Sequence, residues 1–452
     1  IVMAKRLRRF FALLCLLGLT PAAIFFGIFH TERAGKGKDL SESDKVPSLQ
    51  ARETYVGGVD SVPRYKSALL YNSIERISYG AEDVPKQEAC FQEGTTRRTD
   101  KLPCICKKGW NAADCSIPDA IWSSDAFKFW HSLGLIRRRR RPRTVINGMI
   151  FNHELDLLEV RVKELGDAVD HFIVVESMYT NFGERKPLHL KSNLSAGFLR
   201  EHANKIVPIA VDFYNYDDGD PWGPENYLRT TIWYEGQRRL RNVRDDDLFI
   251  MSDADEIPSR DVVLFLKHHD GYGEPILFRL RWFMYGFFWE KIEPVNVTSV
   301  CTVYFMRQMC GNDSLRLRSM DPYMYGWFWD GYENDSMRLR SLDTYTHQGV
   351  SRAGTFNVMW TIEGTSPRYA GWHCSWCFEA HGIQVKLASA QRDDGVRWGD
   401  IAEKTDIAYI NSLRKKGQYF DDSSSLRSCD AHDAAPAFVR RNPLRFRYLM
   451  TP

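Results

Sequence analysis

The sequence has little excess of either charge. Its 452 residues include 61 Lys and Arg against 58 Asp and Glu, a formal net charge of +3. Proteins that bind nucleic acid present a basic face, and this composition does not force one, so we expect no nucleic-acid partner. Aromatic residues, at 13%, suit a protein that handles sugars and equally suit an ordinary large core.

The cysteines in the C-terminal half lack the arrangement of a zinc or redox site. Cys374 and Cys377 form a C-x-x-C pair beside Trp376, but a thioredoxin-like context is absent and no second ligand pair stands at suitable spacing for zinc. Structural disulfides are the favoured interpretation for Cys301, Cys310, Cys374, Cys377 and Cys429, an odd number that leaves one thiol over.

Residues 10–29 lack charge altogether. This run of about 20 residues can cross a hydrocarbon core of about 30 Å, and it is rather long for a cleaved signal peptide. Four basic residues precede it, so the positive-inside rule predicts a cytoplasmic tail at 1–9, a transmembrane signal anchor at 10–29 and a lumenal remainder. The polar, aperiodic segment 30–89 is predicted to be a flexible stem.

Residues 90–117 contain four cysteines where a full EGF-like module has six. Their C-x-C-x-x-G-aromatic-x4-C run indicates a small half-EGF-like module that disulfides hold together, either as a partner-binding module or, as we favour, as a clamped spacer. The cysteines are Cys90, Cys104, Cys106 and Cys115. Segment 118–143 ends in a basic run, predicted as a solvated linker rather than a protease site because Pro142 follows Arg141.

Segment 144–415 is predicted to be the catalytic domain. Strand-like apolar runs at 145–151, 171–177 and 206–211 alternate with helical patterns, of which the first ends at Gly166 and a later one spans 224–242. This order predicts an α/β fold with a mostly parallel sheet and helices on both faces. The sequence says little about the polar segment 416–452, which we treat as a C-terminal extension.

The most informative stretch follows the short apolar run 248–251. Asp253 and Asp255 leave the end of this predicted buried strand one residue apart, where they can hold a hard divalent cation whose other ligands are phosphate oxygens. Ligands of open α/β sheets bind outside the carboxyl ends of the strands. Glu154 and Glu176 follow two other strands and are predicted to share that rim, or else to be surface or helix-terminal charges. His373 is a further candidate, although a core histidine is the default.

The sequence also contains two short internal repeats and four glycosylation sequons. The segment from 309 to 349 repeats R-L-R-S-[ML]-D, and M-Y-G-[FW]-F-W occurs at 284–289 and 324–329. These aromatics supply either an acceptor platform or ordinary packing. The sequons, which fit lumenal loops, are at Asn193, Asn296, Asn312 and Asn334.

Taken together, several motifs resemble the bisecting N-acetylglucosaminyltransferase family. The resemblance covers about 90–414 and rests on F-N-H-E-L-D-L-L, V-E-S, D-A-D-E-I-P, Y-G-F-F-W and G-W-H-C-S-W-C-F, which begin at 151, 175, 253, 285 and 371. The repeated segment departs from the family pattern.

The resemblance implies a GT-A-like fold in a type II Golgi membrane enzyme. Its donor would be UDP-N-acetylglucosamine, bound through Glu154, Glu176, Asp253, Asp255 and His373. Asp253 and Asp255 would hold Mn²⁺ or Mg²⁺, and the acceptor would be the β-linked core mannose of N-glycans on glycoproteins. The catalytic base is left open among four carboxylates, namely Glu379, Asp393, Asp394 and Asp400.

Three other functions are consistent with parts of the pattern. A transferase with another sugar nucleotide or acceptor would share the fold, because fold does not fix substrate. A non-enzymatic adhesion or lectin-like ectodomain would use the cysteines and aromatics. A glycoside hydrolase would use paired carboxylates without a nucleotide donor. Neither of the last two explains an Asp pair at a strand end inside an alternating α/β pattern.

Overall fold

The structure is a computed structural model, and it describes residues 90–96, 103–215, 222–320, 359–389, 397–421 and 426–452. The predicted tail, membrane anchor and stem lie outside these ranges, as do Asp393, Asp394, Asn334 and most of the repeated segment. Within the described ranges, no helix is both long enough and apolar enough to span a bilayer.

The strands carry the labels β1 to β15 in chain order. They are β1 (Trp110–Asn111), β2 (Ile117–Pro118), β3 (Arg137–Arg138), β4 (Val145–Phe151), β5 (His171–Ser177), β6 (Ile206–Val211), β7 (Leu248–Met251), β8 (Glu256–Pro258), β9 (His269–Asp270), β10 (Ile276–Met284), β11 (Trp289–Glu290), β12 (Val295–Thr302), β13 (Trp360–Ile362), β14 (Gly371–Ser375) and β15 (Arg427–Ser428).

The helices carry the labels α1 to α14. They are α1 (Asp119–Trp122), α2 (Asp125–Ser132), α3 (Leu155–Leu165), α4 (His189–Ser195), α5 (Gly223–Gly236), α6 (Arg260–His268), α7 (Val303–Gln308), α8 (Ser314–Arg318), α9 (Ala380–Ser389), α10 (Ala402–Thr405), α11 (Ile407–Lys416), α12 (Ala431–Ala434), α13 (Ala437–Arg441) and α14 (Arg447–Met450). Short 3₁₀ turns lie at Arg200–His202, Gln237–Arg239 and Trp398–Asp400.

The main sheet is mixed, with a parallel part formed by β6, β5, β4 and β7 in that spatial order. β12 and β10 continue it, with β12 antiparallel to both β7 and β10. β11 and β15 extend the far edge, while β13 and β14 run parallel to β10 and β8 pairs with β14. The predicted parallel arrangement thus holds for β4, β5, β6 and β7, the first four strands of the main sheet in chain order. From β10 onward antiparallel pairs are common, because β10, β11 and β12 follow one another without a crossover helix.

Helices cover both faces of the parallel strands, as predicted. Val145 and Met149 of β4 pack with α3 and α6 on one face, whereas Ile146 packs with α5 on the other. Strands buried on both faces need nearly continuous apolar runs, which is why β4 and β5 are so apolar. The contacts on the two faces form two apolar clusters, one on each face of the sheet. A third apolar cluster contains residues from the end of β10, from β14, from α9 and from the C-terminal helices.

The predicted half-EGF-like module is held by two disulfides, Cys90–Cys104 and Cys106–Cys115. It does not stand apart from the α/β domain. Its Phe91 and Trp110 are buried in the same apolar cluster as β4 and α6. The module is therefore part of the core of the α/β domain, which agrees with a structural role for the cysteines.

The basic run before β4 is only partly solvated. Arg137, Arg140 and Arg141 are exposed, as expected for a solvated linker. Arg143 is fully buried, however, and Arg139 forms ion pairs with Asp246 and Asp270. The sequence pattern did not indicate these pairs, because the two carboxylates lie more than 100 residues later in the chain.

The C-terminal residues also belong to the domain and are not an extension. β15 pairs with β11, and Val439, Phe446 and Leu449 are fully buried in the third cluster. Their apolar positions are too widely spaced for a local pattern to reveal them. Among the five C-terminal cysteines, Cys374 and Cys377 form a disulfide. The others, Cys301, Cys310 and Cys429, are free, so the prediction of a single spare thiol is wrong.

Candidate active site

The acidic turn, residues 252–256, lies between β7 and β8. Two backbone N–H groups fix its shape: Asp253 N–H donates to the side-chain Oε2 of Glu256 at 2.9 Å, and Cys374 N–H donates to the carbonyl oxygen of Asp255 at 2.8 Å. β5 and β6 lie on one side of β4 and β7 lies on the other. The turn therefore stands at the carboxyl edge where the strand order reverses, the usual position of a ligand site in an open α/β sheet.

Three basic side chains from three helices contact this turn. Arg229 of α5 is 2.8 Å from Asp253 Oδ2, and Lys386 of α9 is 3.2 Å from Asp255 Oδ2. Arg318 of α8 binds both oxygens of Glu256, at 2.6 and 3.0 Å. It also lies 3.3 Å from Asp253 Oδ2. Each carboxylate of the turn is thus neutralised by a cation from a different part of the chain.

Close packing of α5 on the sheet positions Arg229. A Cβ atom at Gly148 of β4 would lie 2.3 Å from Ile232, and one at Gly236 would lie 2.4 Å from Ile173. Only glycine allows this approach of helix and sheet. α8 fixes the helix from outside, because Ser314 Oγ donates to the carbonyl of Arg229.

A fourth cation, Arg161 of α3, supports the turn from beneath. It is fully buried and donates to Ser252 Oγ at 3.1 Å and to the carbonyl oxygens of Asp253 and Glu256. Burial lowers the pKa of Arg161 to about 10, so the guanidinium remains charged at neutral pH. Because its guanidinium donates to the backbone carbonyls of the turn, Arg161 stabilises the conformation of the turn and does not face a ligand.

Both aspartates are ionised at neutral pH. Burial acts to raise the pKa of Asp253, but Arg229 and Arg318 outweigh it and the pKa lies below its usual value. The pKa of Asp255 is lowered in the same way, with Lys386 as the main opposing charge. Ionised carboxylates are the form that a hard cation binds.

His373 lies in the same cluster. It is opposite Glu256 in the β14–β8 ladder, with Nδ1 at 3.7 Å from Glu256 Oε1 and its ring 5.5 Å from that of Trp282. Nδ1 is buried and has no hydrogen-bond partner among the described residues. The sequence prediction placed His373 near Asp253 and Asp255, and the structure brings them together.

The other two predicted rim carboxylates have different surroundings. Glu154 follows β4 and accepts hydrogen bonds from the N–H groups of Asn152 and His153 at 2.8 and 2.9 Å. Glu176 lies near the end of β5 and accepts from the N–H groups of Leu190 and Lys191 at the start of α4. Glu176 therefore caps a helix, the alternative considered for it from the sequence.

Two of the four candidate bases lie in the described residues. Glu379 is exposed beside α9, and Asp400 is exposed and paired with Arg397 at 3.3 Å. Neither is in an ion pair with the turn's cations within the described ranges. Of the sequons, Asn296 is exposed on β12, Asn193 is half-buried in α4, and Asn312 accepts a hydrogen bond from Trp233 Nε1.

The residues that the sequence did not reveal are the cations. Arg318 and Lys386 contact carboxylates 65 and 131 residues earlier in the chain. The arginines of the predicted helix at 224–242 were visible, but nothing in their spacing distinguished Arg229 from its neighbours. Glu225, which pairs with Arg229, was likewise missed.

The donor set of the turn fits a divalent cation that shares its coordination with a substrate. Asp253 and Asp255 supply hard oxygen ligands in ionised form. No group of three or more His, Cys, Asp or Glu side chains that could hold a metal occurs within the described part of the chain. Remaining ligands would then come from phosphate oxygens and water, the arrangement common for cations bound with nucleotides.

Comparison with known proteins relates part of this chain to a family. Residues 126–305, which include β4 and the acidic turn, match the family model of glycosyltransferase family 17. This part of the chain is therefore similar to glycosyltransferase family 17. The resemblance predicted from the sequence motifs is thereby confirmed.

The chain also aligns with curated relatives from three mammals. Proteins named beta-1,4-mannosyl-glycoprotein 4-beta-N-acetylglucosaminyltransferase from Rattus norvegicus, Mus musculus and Homo sapiens are 39%, 38% and 39% identical over 79%, 81% and 79% of this chain. The chain spans 62%, 64% and 63% of their respective lengths, less than two thirds of each relative.

Proposed function

We propose that the chain transfers N-acetylglucosamine from UDP-N-acetylglucosamine to the β-linked core mannose of N-glycans, in β1,4 linkage. The observation that carries the proposal is the acidic turn: Asp253 and Asp255 stand ionised at the switch point of an α/β sheet, inside the part of the chain that is similar to glycosyltransferase family 17. The names of the mammalian relatives supply the sugar and the acceptor. We assign the domain a GT-A-like fold.

A β-linked product from an α-linked donor requires one in-line displacement with inversion at the anomeric carbon. Negative charge then develops on the leaving diphosphate, and neutralising it is usually the largest catalytic contribution. Asp253 and Asp255 would hold Mn²⁺ or Mg²⁺, which supplies this neutralisation when bound. Arg161 and Arg318 keep the turn in shape by binding its carbonyls and Glu256.

The acceptor hydroxyl must lose its proton to a carboxylate within hydrogen-bond reach. The candidates remain Glu379, Asp393, Asp394 and Asp400. Replacing each with its amide separates them, because loss of the base lowers turnover while leaving UDP affinity intact. Glu154 and His373 stay as proposed donor-binding residues, whereas Glu176 caps α4 and is expected to act on stability rather than on the donor.

We further propose a Golgi lumenal location with a type II anchor at 10–29. Three disulfides lie in the described residues, which supports an oxidising compartment. The partners would be glycoproteins that carry N-glycans and the membrane itself.

The test is a transfer assay with the purified chain from Thr31 onward, UDP-N-acetylglucosamine, Mn²⁺ and a biantennary N-glycan. We expect one added N-acetylhexosamine in β1,4 linkage to the core mannose, lost on chelation, as read by mass and linkage analysis. UDP release with another donor or product on another acceptor would keep the transferase and discard the substrate. Sugar release without a nucleotide would indicate a hydrolase, and glycan binding without turnover a lectin-like protein.

A further inference from the structure

Two of the basic side chains that contact Asp253 and Asp255 come from helices far apart in the chain, Arg229 from α5 and Lys386 from α9. Arg229 Nη2 and Nε lie 2.8 and 3.4 Å from the two oxygens of Asp253. Lys386 Nζ donates to Asp255 Oδ2 at 3.2 Å. The two carboxylates proposed to hold a metal ion are therefore each already paired with a cation.

These two cations differ from the others around the turn in their partners. Arg161 is fully buried against carbonyl oxygens, and Arg318 makes a two-point contact with the buried Glu256. Arg229 and Lys386 instead make their closest carboxylate contacts within the turn to Asp253 and Asp255, the two proposed metal ligands, and their side chains are 14% and 20% exposed. Within the described ranges, Lys386 makes one hydrogen bond, to Asp255, and its ammonium lies 5.4 Å from the centroid of the Trp376 ring.

The described residues around the turn carry no excess of positive charge. Four carboxylates, on Glu225, Asp253, Asp255 and Glu256, meet the four cations Arg161, Arg229, Arg318 and Lys386, and Glu154 is a further carboxylate that acts on Lys386. A free diphosphate therefore finds no excess positive charge. A divalent cation on the two aspartates supplies that excess and at the same time weakens their hold on Arg229 and Lys386.

We propose that Arg229 and Lys386 bind the diphosphate of the sugar nucleotide, exchanging their aspartate partners for phosphate oxygens when a divalent cation occupies Asp253 and Asp255. The inference rests on the proposed function, since it assigns residues to the same donor. Both side chains suit this role, because the guanidinium of Arg229 matches phosphate oxygens in pairs and the ammonium of Lys386 acts as a compact point charge. The turn and its two flanking cations thus form one diphosphate site.

The experiment measures binding of UDP and of uridine to the purified full chain with saturating Mn²⁺, by calorimetry and by competition. The variants are Arg229→Gln and Lys386→Met. Uridine lacks phosphates, so it reports the nucleoside pocket alone. The matched controls are Arg244→Gln and Lys267→Met, whose side chains pair with Asp247 and Asp170 at 2.7 and 2.9 Å at the amino-terminal ends of the parallel strands.

We expect each site variant to lower UDP affinity by about tenfold to a hundredfold, the size of a lost charged contact to phosphate, with uridine affinity within about twofold of wild type. Both controls should bind UDP as wild type does. Equal losses of UDP and uridine affinity, or no loss of either, would overturn the proposal in favour of a purely structural role.

The binding measurement and the transfer assay together separate this inference from the proposed function. If wild type binds UDP in the expected way but transfers no N-acetylglucosamine, the function is wrong and the diphosphate site stands. If wild type transfers the sugar and both variants bind UDP normally, the function stands and the diphosphate site is wrong. If wild type binds no UDP at all, both are wrong.

Discussion

Asp253 and Asp255 are one residue apart, yet each is held ionised by a different helix. Arg229 comes from α5 and Lys386 from α9. The aspartates were predictable, because a short apolar run followed by carboxylates is a local pattern. Their cations were not, because only the packing of α5, α8 and α9 brings them to the turn. His373 was only partly predictable. Its motif was visible in the sequence, but its position opposite Glu256 depends on the pairing of β14 with β8.

At the same scale, Arg161 should matter for stability. Arg161→Met removes the donors for Ser252 and for the carbonyls of Asp253 and Glu256, all of which stay in or near the core. We expect a loss of about 3–5 kcal/mol in the free energy of unfolding, as for a broken buried charge network. Chemical denaturation measures it, with the exposed Arg440→Met as control. A loss no greater than the control's would contradict the role given to Arg161.

Among the elements, the parallel strands were the easiest to predict. β4, β5 and β6 have the bounds expected from their apolar runs, and α3 ends before Gly166 as its spacing indicated. The prediction extended α5 to 242, but the helix gives way to a 3₁₀ turn after Gly236. The short strands β8, β13, β14 and β15 have too few residues to show a period. Their pairing depends on contacts far apart in sequence, which a local pattern does not contain.

The junction of β5 and α4 allows the role of Glu176 to be tested. In Glu176→Ala the first N–H groups of α4 lose their carboxylate acceptor, so we expect a cost of about 1–2 kcal/mol in stability. Turnover should be unchanged at a temperature where the variant is folded. Glu184→Ala, an exposed carboxylate after the same strand, is the control. A loss of turnover without a loss of stability would instead place Glu176 at the donor.

On the scale of the whole molecule, the domain is larger than its sequence pattern indicated. The cysteine module and the C-terminal helices pack into its apolar clusters. Sequence analysis separated them because charge and cysteine content change along the chain. Arg139 and Arg143 of the predicted linker are held by Asp270 of β9 and, for Arg139, by Asp246 before β7. Composition alone does not reveal such pairing.

The contact between the module and the domain predicts a pH dependence of stability. His269 is buried, with hydrogen bonds to Phe265 O and Ser116 Oγ, and burial lowers its pKa to about 3. Below the ordinary value of 6.5 the unfolded chain takes up a proton that the folded chain does not. Stability should therefore decrease as pH falls from about 6.5 towards 3.

Thermal unfolding at pH 7 and pH 5 measures this dependence. His269→Gln should be less stable than wild type at pH 7 and should lose less of its stability on acidification. The exposed His432→Gln should keep the wild-type dependence. An identical loss on acidification in His269→Gln and wild type would show that the pH dependence arises elsewhere.

The most direct test of the account is the turnover of UDP-N-acetylglucosamine by Asp253→Asn and Asp255→Asn. Both substitutions keep the shape of the turn but remove the charge that a divalent cation needs. With Mn²⁺ and N-glycan acceptor, we predict that kcat/KM falls by at least about a hundredfold in each, while the melting temperature shows a folded protein. Asp245→Asn, in an exposed pair with Arg307 before β7, should retain wild-type turnover. Wild-type turnover in either turn variant would contradict the assignment of the acidic turn as the donor site.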